Sequence, residues 1–200
     1  MSEPAANAAV FAGPAAYLEA RGFTKSGHRT GGIQHPKLVN LPVGTRILRL
    51  YHEVNRRFGA WWMTLHELDT IVQHFARGGD ALAEGRSEGR GVFQATLAVR
   101  HDWADGSPLH LSRFVLVQTL LPLQAYWGEG DVAPGADHKS TQKPVAINAP
   151  DGRRPACQLF LPFCWTYQAD ALQTMQEGHT DSGLLAALDR FGAPPLDFER

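Results

Sequence analysis

Cysteine is scarce in this chain. Its 200 residues hold two, Cys157 and Cys164, and neither lies in a Cys-x-x-Cys pair. Two thiols make no disulfide framework, so a small cross-linked scaffold is excluded, and buried free thiols in a reducing compartment are the simpler expectation. Charge of one sign is lacking too: 19 basic residues face 20 acidic ones, for a net charge of −1. Bulk attraction to nucleic acid or to an anionic membrane therefore has no source, although a local basic patch would not show in the total. No long apolar run occurs, and the opening MSEPAANAAVFAGPAAYLEARGF carries no basic start. Neither a cleavable secretory signal nor a membrane span is expected. The expectation is a cytoplasmic protein, with export by a route that reads no cleavable signal left open.

The usual catalytic signatures are also missing. Nine histidines are present, but position 70 is Thr, so the HEL at 66–68 is no HExxH, and His66 and His74 stand eight apart. No metal is expected from such spacings. The GxSxG spacing of GRSEG (85–89) falls in a stretch that reads as a loop and makes no strand-to-helix elbow, and there is no GxxxxGK[ST] loop and no GxGxxG after a strand. GRSEGRG (85–91) could wrap a phosphate with Arg86, Arg90 and its amides, but a solvated surface loop is the simpler reading. No internal repeat occurs, and no low-complexity tract beyond the Ala-rich start.

What is present suffices for a core: 44% of residues are hydrophobic and 20% charged. AAYLEARGF (15–23) reads as a helix ending near Gly22, and 25–42 as loop or extended arm. GTRILRLYHEV (44–54) reads as a strand. RRFGAWWM reads as a turn and second strand, running straight into a helix capped by Thr64 with Glu67 at N3 of a capping box. That helix places Leu65, Leu68, Ile71, Val72 and Phe75 on one face and ends near Gly78-Gly79. Residues 79–91 read as a loop, 91–103 as a strand, ADGSP as a turn, 111–123 as a strand and 125–144 as a long loop. VAIN and ACQLFLP read as two strands around a Pro-Asp-Gly turn. TYQADALQTMQEG and DSGLLAALDRFG read as closing helices, the second capped by Asp181. This order predicts an α+β fold and not an alternating βαβ sheet. It divides into an N-terminal helix and arm over 1–40 and a single domain over 41–200, with its core at 42–162 and C-terminal helices at 165–192.

Two features carry chemistry. In RILRLYH the alternation puts Leu48, Leu50 and His52 on one face and Ile47, Arg49 and Tyr51 on the other. In RRFGAWWMT, Trp61 and Trp62 point to opposite faces if the stretch is a strand, one to the core and one to a cleft. An arginine and a tyrosine beside a tryptophan-bearing strand suit a diphosphate joined to a flat ring, because guanidinium binds phosphate oxygens bidentately and aromatic rings stack on bases. A surface arginine lying over aromatic residues is the plainer alternative.

These elements, in this order over residues 42–162, resemble the ADP-ribosyltransferase superfamily and its NAD glycohydrolase branch of the necrotising-toxin type. The resemblance implies split antiparallel β-sheets, flanked by helices, forming a cleft that holds NAD as substrate. GTRILRLYH resembles the strand whose arginine binds the NAD phosphates, with Arg49 in that place and Tyr51 beside it. RFGAWWMT resembles the next strand, with Thr64 as its hydroxyl residue and Trp61 and Trp62 as its aromatics. Arg57 is a rival phosphate ligand in the Arg-Phe-Gly stretch. LLPLQAYWGEGDVAPG and RPACQLFLP resemble the branch's proline-leucine segment, acidic Gly-rich loop and Gln-bearing strand, so Gln158 takes the catalytic position and Glu129 could supply a carboxylate. A transferase would usually hold Glu where Gln158 stands, which favours hydrolysis. The resemblance thus implies an NAD-consuming enzyme, a glycohydrolase or a toxin, with transfer to a macromolecule as one alternative and a nucleotide- or protein-binding module as another. A protein partner or inhibitor fits either.

Overall fold

Strand β3 (Arg46–Tyr51) and strand β4 (Trp61–Thr64) are the centre of the architecture, and they stay together for only two residue pairs. The structure, a computed structural model, describes residues 4–23, 32–51, 57–77, 113–131, 146–162, 164–192 and 194–199. Among these, eight strands form one antiparallel sheet in the order β1-β6-β9-β4-β3-β5-β10, with β2 beside β6. The strands other than β3 and β4 are β1 (Gly32–Ile33), β2 (Lys37–Leu41), β5 (Arg113–Thr119), β6 (Leu123–Asp131), β9 (Cys157–Phe160) and β10 (Leu172–His179). A separate hairpin joins β7 (Ala146–Ala149) to β8 (Gly152–Pro155). The helices are α1 (Pro14–Ala20), α2 (Leu65–Arg77), α3 (Cys164–Ala171) and α4 (Thr180–Phe191). The result is a single compact α+β domain, as the element order predicts.

The sheet splits at β4. Trp61 and Trp62 pair with Phe160 and Leu159 of β9, whereas Met63 and Thr64 pair with Leu48 and Ile47 of β3. Each half of β4 serves a different half of the sheet. The chain crosses between halves three times more, the last from β9 to β10 through α3. It leaves β2 for β3 through Pro42–Thr45, where Gly44 has φ +86°, a conformation only glycine adopts freely. It leaves β5 for β6 through Leu120–Pro122.

Apolar alternation on these strands builds three clusters. Leu48, Leu50, Met63, Phe114 and Leu116 pack under α2 and α4. Ile33, Tyr126, Phe160 and Trp61 pack under α1. On the opposite face, Ile47, Tyr51, Trp62, Val115, Val117, Leu123, Leu159 and Leu161 fill the inside of the curled sheet with α3. Leu65, Leu68 and Ile71 of α2 are fully buried, each worth about 1.5–3 kcal/mol by transfer of its side chain from water. Val72 only borders the cluster, and the side chain of Phe75 lies outside the described residues.

Several expected elements differ. The arm at 25–42 supplies β1 and β2, both pairing with β6. Of the long loop expected at 125–144, residues 132–144 lie outside the described residues, and 125–131 are instead the continuation of β6. Gly128 sits there because a Cβ would lie 2.7 Å from Ile33 Cγ2. The Pro-Asp-Gly turn forms, but it returns the chain into GRRP and not into CQLF, which joins the main sheet as β9. QTMQEG is not helical: it is β10, paired along β5 with a register shift between Thr174 and Gln176. Helix propensities of Gln, Met and Glu are worth tenths of a kcal/mol per residue, too little to outweigh pairing the open edge of a buried strand. Asp181 does not cap α4, whose N-cap is His179 with no side-chain hydrogen bond. The capping box at α2 is half made: Glu67 N–H donates to Thr64 Oγ1 at 3.1 Å, but the Glu67 carboxylate turns elsewhere. Arg86 and Arg90, His52, the expected strand at 91–103 and the ADGSP turn lie outside the described residues. Both cysteines are free and buried. Among the described residues no helix is long and apolar enough to cross a membrane.

Candidate functional site

Beyond Leu48 the strands β3 and β4 diverge, and the gap is filled by Arg49. Alternation puts Arg49 on the inner face with Ile47 and Tyr51. Its Nη1 donates to the Trp61 carbonyl at 2.8 Å, a carbonyl that no β3 partner reaches. Its guanidinium lies so close under Gly59 that a Cβ there would stand 2.6 Å from Nη2. Arg49 is 9% exposed, its Nε has no hydrogen-bond partner, and no carboxylate among the described residues pairs with it. Burial pushes its pKa down to about 10, with the nearby Cys164 acting weakly in the opposite sense. An arginine buried without a counter-ion is expensive unless an anion completes it.

The RFGAWW stretch (57–62) lies against this cation. Phe58 packs against Trp62 at 6.1 Å, and the Trp62 indole N–H donates to the Gly59 carbonyl at 2.7 Å. Trp62 is buried on the inner face; Trp61 is half-buried on the other, 4.8 Å from Phe160. The two tryptophans do leave opposite faces. Arg57 is held by β10. It pairs with Glu177 of β10 at 2.9 Å and donates to Thr174 Oγ1 at 2.9 Å. The Tyr51 hydroxyl donates to the other oxygen of Glu177 and accepts from Arg113 Nε at 3.3 Å. Burial first, and the Glu177 hydrogen bond next, hold the Tyr51 phenol above its ordinary pKa. Glu177 thus joins Tyr51 and Arg57, a role the sequence did not reveal because QTMQEG reads as helix.

Thr64 ends β4 and heads α2. Besides accepting from Glu67 N–H, it donates to Glu199, from the segment that follows α4. Gln158 and Glu129 sit on the neighbouring strands β9 and β6, where Gln158 faces Gly128 and Glu129 faces Cys157 across the ladder. Alternation separates them. Glu129 follows Trp127 on the inner side, whereas Gln158 shares the side of Phe160. So Arg49, Tyr51, Trp62, Thr64 and Glu129 share one face, while Trp61 and Gln158 take the other. Arg57 reaches the inner face through Glu177, which lies opposite Val115.

A second arginine, half-buried, sits on the β7–β8 hairpin. Arg154 Nη1 and Nη2 donate to the two oxygens of Glu67 at 2.8 Å each, and Cys157 N–H donates to Glu67 Oε1 at 2.7 Å. This pair raises the Arg154 pKa and ties the hairpin to α2. The thiols are inert as nucleophiles: burial lifts Cys164 to about 12, and burial with Glu67 nearby lifts Cys157. Among the described residues no group of three His, Cys, Asp or Glu is placed to hold a metal ion.

No family model matches the chain, and no curated protein sequence matches it. Among solved structures, one similar chain belongs to "Rhs1-CT in complex with cognate immunity protein RhsI1". It aligns with a TM-score of 0.45 and 14% identity, over 82% of this chain and 94% of that one.

Proposed function

We propose that this protein binds NAD in the split of its sheet and cleaves the nicotinamide–ribose bond with water. The observation that carries the reading is Arg49: a buried cation without a carboxylate among the described residues, at the point where β3 and β4 part. The three strands singled out by the resemblance, β3, β4 and β9, are also consecutive in the sheet.

In this reading Arg49 receives the diphosphate, with Arg57 as a second cation once it leaves Glu177. The nicotinamide ring lies near Thr64 and the tryptophans. The N-glycosidic bond breaks with its electron pair leaving on nicotinamide, which neutralises the pyridinium. The remaining positive charge sits on an oxocarbenium-like ribose, favoured by exclusion of water. Water then bonds to the ribose carbon and passes a proton to a carboxylate or to solvent. Glu129, on the inner face, is the better placed of the two polar candidates; Gln158 would have to act from the other side of the sheet.

The test is to incubate the purified protein with NAD and follow nicotinamide and ADP-ribose by proton NMR. Equal release of both is expected, and Arg49→Ala should lower turnover at least a hundredfold while circular dichroism stays unchanged. Nicotinamide without matching ADP-ribose would point to transfer onto a macromolecule. Intact NAD, or a folded Arg49→Ala protein with undiminished turnover, removes the reading.

A further inference from the structure

The segment after α4 runs back to the head of α2. It closes in a 3-10 turn at Asp197–Glu199, with Glu199 N–H donating to the Leu196 carbonyl at 2.9 Å and Leu196 N–H donating to Glu199 Oε2 at 2.8 Å. That turn fixes the carboxylate so that its second oxygen, Oε1, accepts the Thr64 hydroxyl. Phe198 lies against Trp127 of β6 at 5.6 Å, joining the inner cluster. Between this segment, Arg46, His66 and Asn40 remains a pocket of about 270 Å³.

A ring and an oxygen acceptor on adjacent residues thus take the indole of Trp127 on β6 and the hydroxyl of Thr64 at the end of β4. A nicotinamide would offer the same pair of groups, an aromatic ring and a carboxamide oxygen. Burial holds the Glu199 carboxyl above its ordinary pKa, so the contact stands against a desolvation penalty. We propose that Pro194–Glu199 is an intramolecular stand-in for the ligand, competing with the ring-and-carboxamide end of the dinucleotide for Thr64 and Trp127. The identity of that ligand rests on the NAD reading; the competition is a separate claim about the segment.

Two measurements test it on the full chain. First, titrate nicotinamide and, separately, ADP-ribose into the wild type, Phe198→Ala and Glu199→Ala by calorimetry. If the segment leaves the site free about one-tenth of the time, removing it tightens nicotinamide binding about tenfold. ADP-ribose, which lacks the ring, should bind all three forms alike. Second, follow hydrogen exchange at the Leu196 and Glu199 amides of the unmodified protein, where saturating nicotinamide should speed exchange. Nicotinamide binding that is unchanged or weaker in the variants, or exchange that slows, makes the segment a wall of the site and overturns the competition while the NAD reading survives on ADP-ribose. If neither compound binds any form, both claims fall together.

Discussion

Arg154 and Arg49 are both arginines drawn in from solvent, the first half-buried and the second buried, and they are treated in opposite ways. Arg154 meets Glu67 through two 2.8 Å hydrogen bonds, and the spare lone pair of Glu67 takes the Cys157 amide. Every charge there is answered within the chain. Arg49 has one carbonyl, a bare glycine overhead and no carboxylate among the described residues. The first is the pattern of a strut and the second that of a site left incomplete. Burial of a charge alone does not separate the two roles; the presence of the answering charge does.

Breaking the strut gives the largest expected effect. Arg154→Ala leaves the Glu67 carboxylate, 1% exposed, without its cation and should lower stability by about 3–5 kcal/mol in urea unfolding. Arg49→Met, which deletes a charge with no carboxylate partner among the described residues, should cost about 1 kcal/mol through the freed Trp61 carbonyl. Equal losses in the two variants would erase the distinction.

Gly59→Ala sharpens the comparison at the next level. Its methyl group would displace the Arg49 guanidinium, for a loss of about 1–3 kcal/mol typical of overpacking. In an Arg49→Met background most of that loss should vanish, because the clash is with the guanidinium itself; a double-mutant cycle in urea reads the coupling. Additive effects would mean that Gly59 is needed for backbone reasons and not for the arginine.

The smallest effect is one of pH. Burial raises the Glu199 pKa above 4.5, opposed by hydrogen bonds from Thr64 and Leu196 and, more weakly, by His66, while Glu67 adds to the rise. Arg46 and Asp197 line the same pocket. A carboxyl raised in the docked state takes up a proton on docking. Its contribution is therefore fully present below the ordinary carboxylate value and lost as pH rises through the raised one. Protection of the Leu196 and Glu199 amides, corrected for intrinsic exchange rates, should grow from about pH 7 to about pH 5 and stay flat in Glu199→Gln. The same slope in the variant would assign the effect to His66 or another neighbour.

Local patterns in the sequence carried a good share of this structure. The alternation of RILRLY placed Arg49 and Tyr51 on one face, WWMT ran into a helix capped by Thr64, and the tryptophans separated as strand neighbours must. These features depend on residues next to one another, whose geometry the backbone dictates. Elements whose conformation depends on a distant partner were misread. Gly-rich WGEGD became a strand because β1 and β9 flank it, and QTMQEG became an edge strand because β5 offered one. With that edge came Glu177, and with the path of residues 194–199 came Glu199, neither of which any local pattern marks as part of a site. The sequence by itself determined the faces of its strands and the start of its central helix, because those follow from side-chain period and capping chemistry. Only the tertiary structure decided which arginine would be paired, since a counter-ion 87 residues away is brought within 3 Å by packing and by nothing in its own neighbourhood.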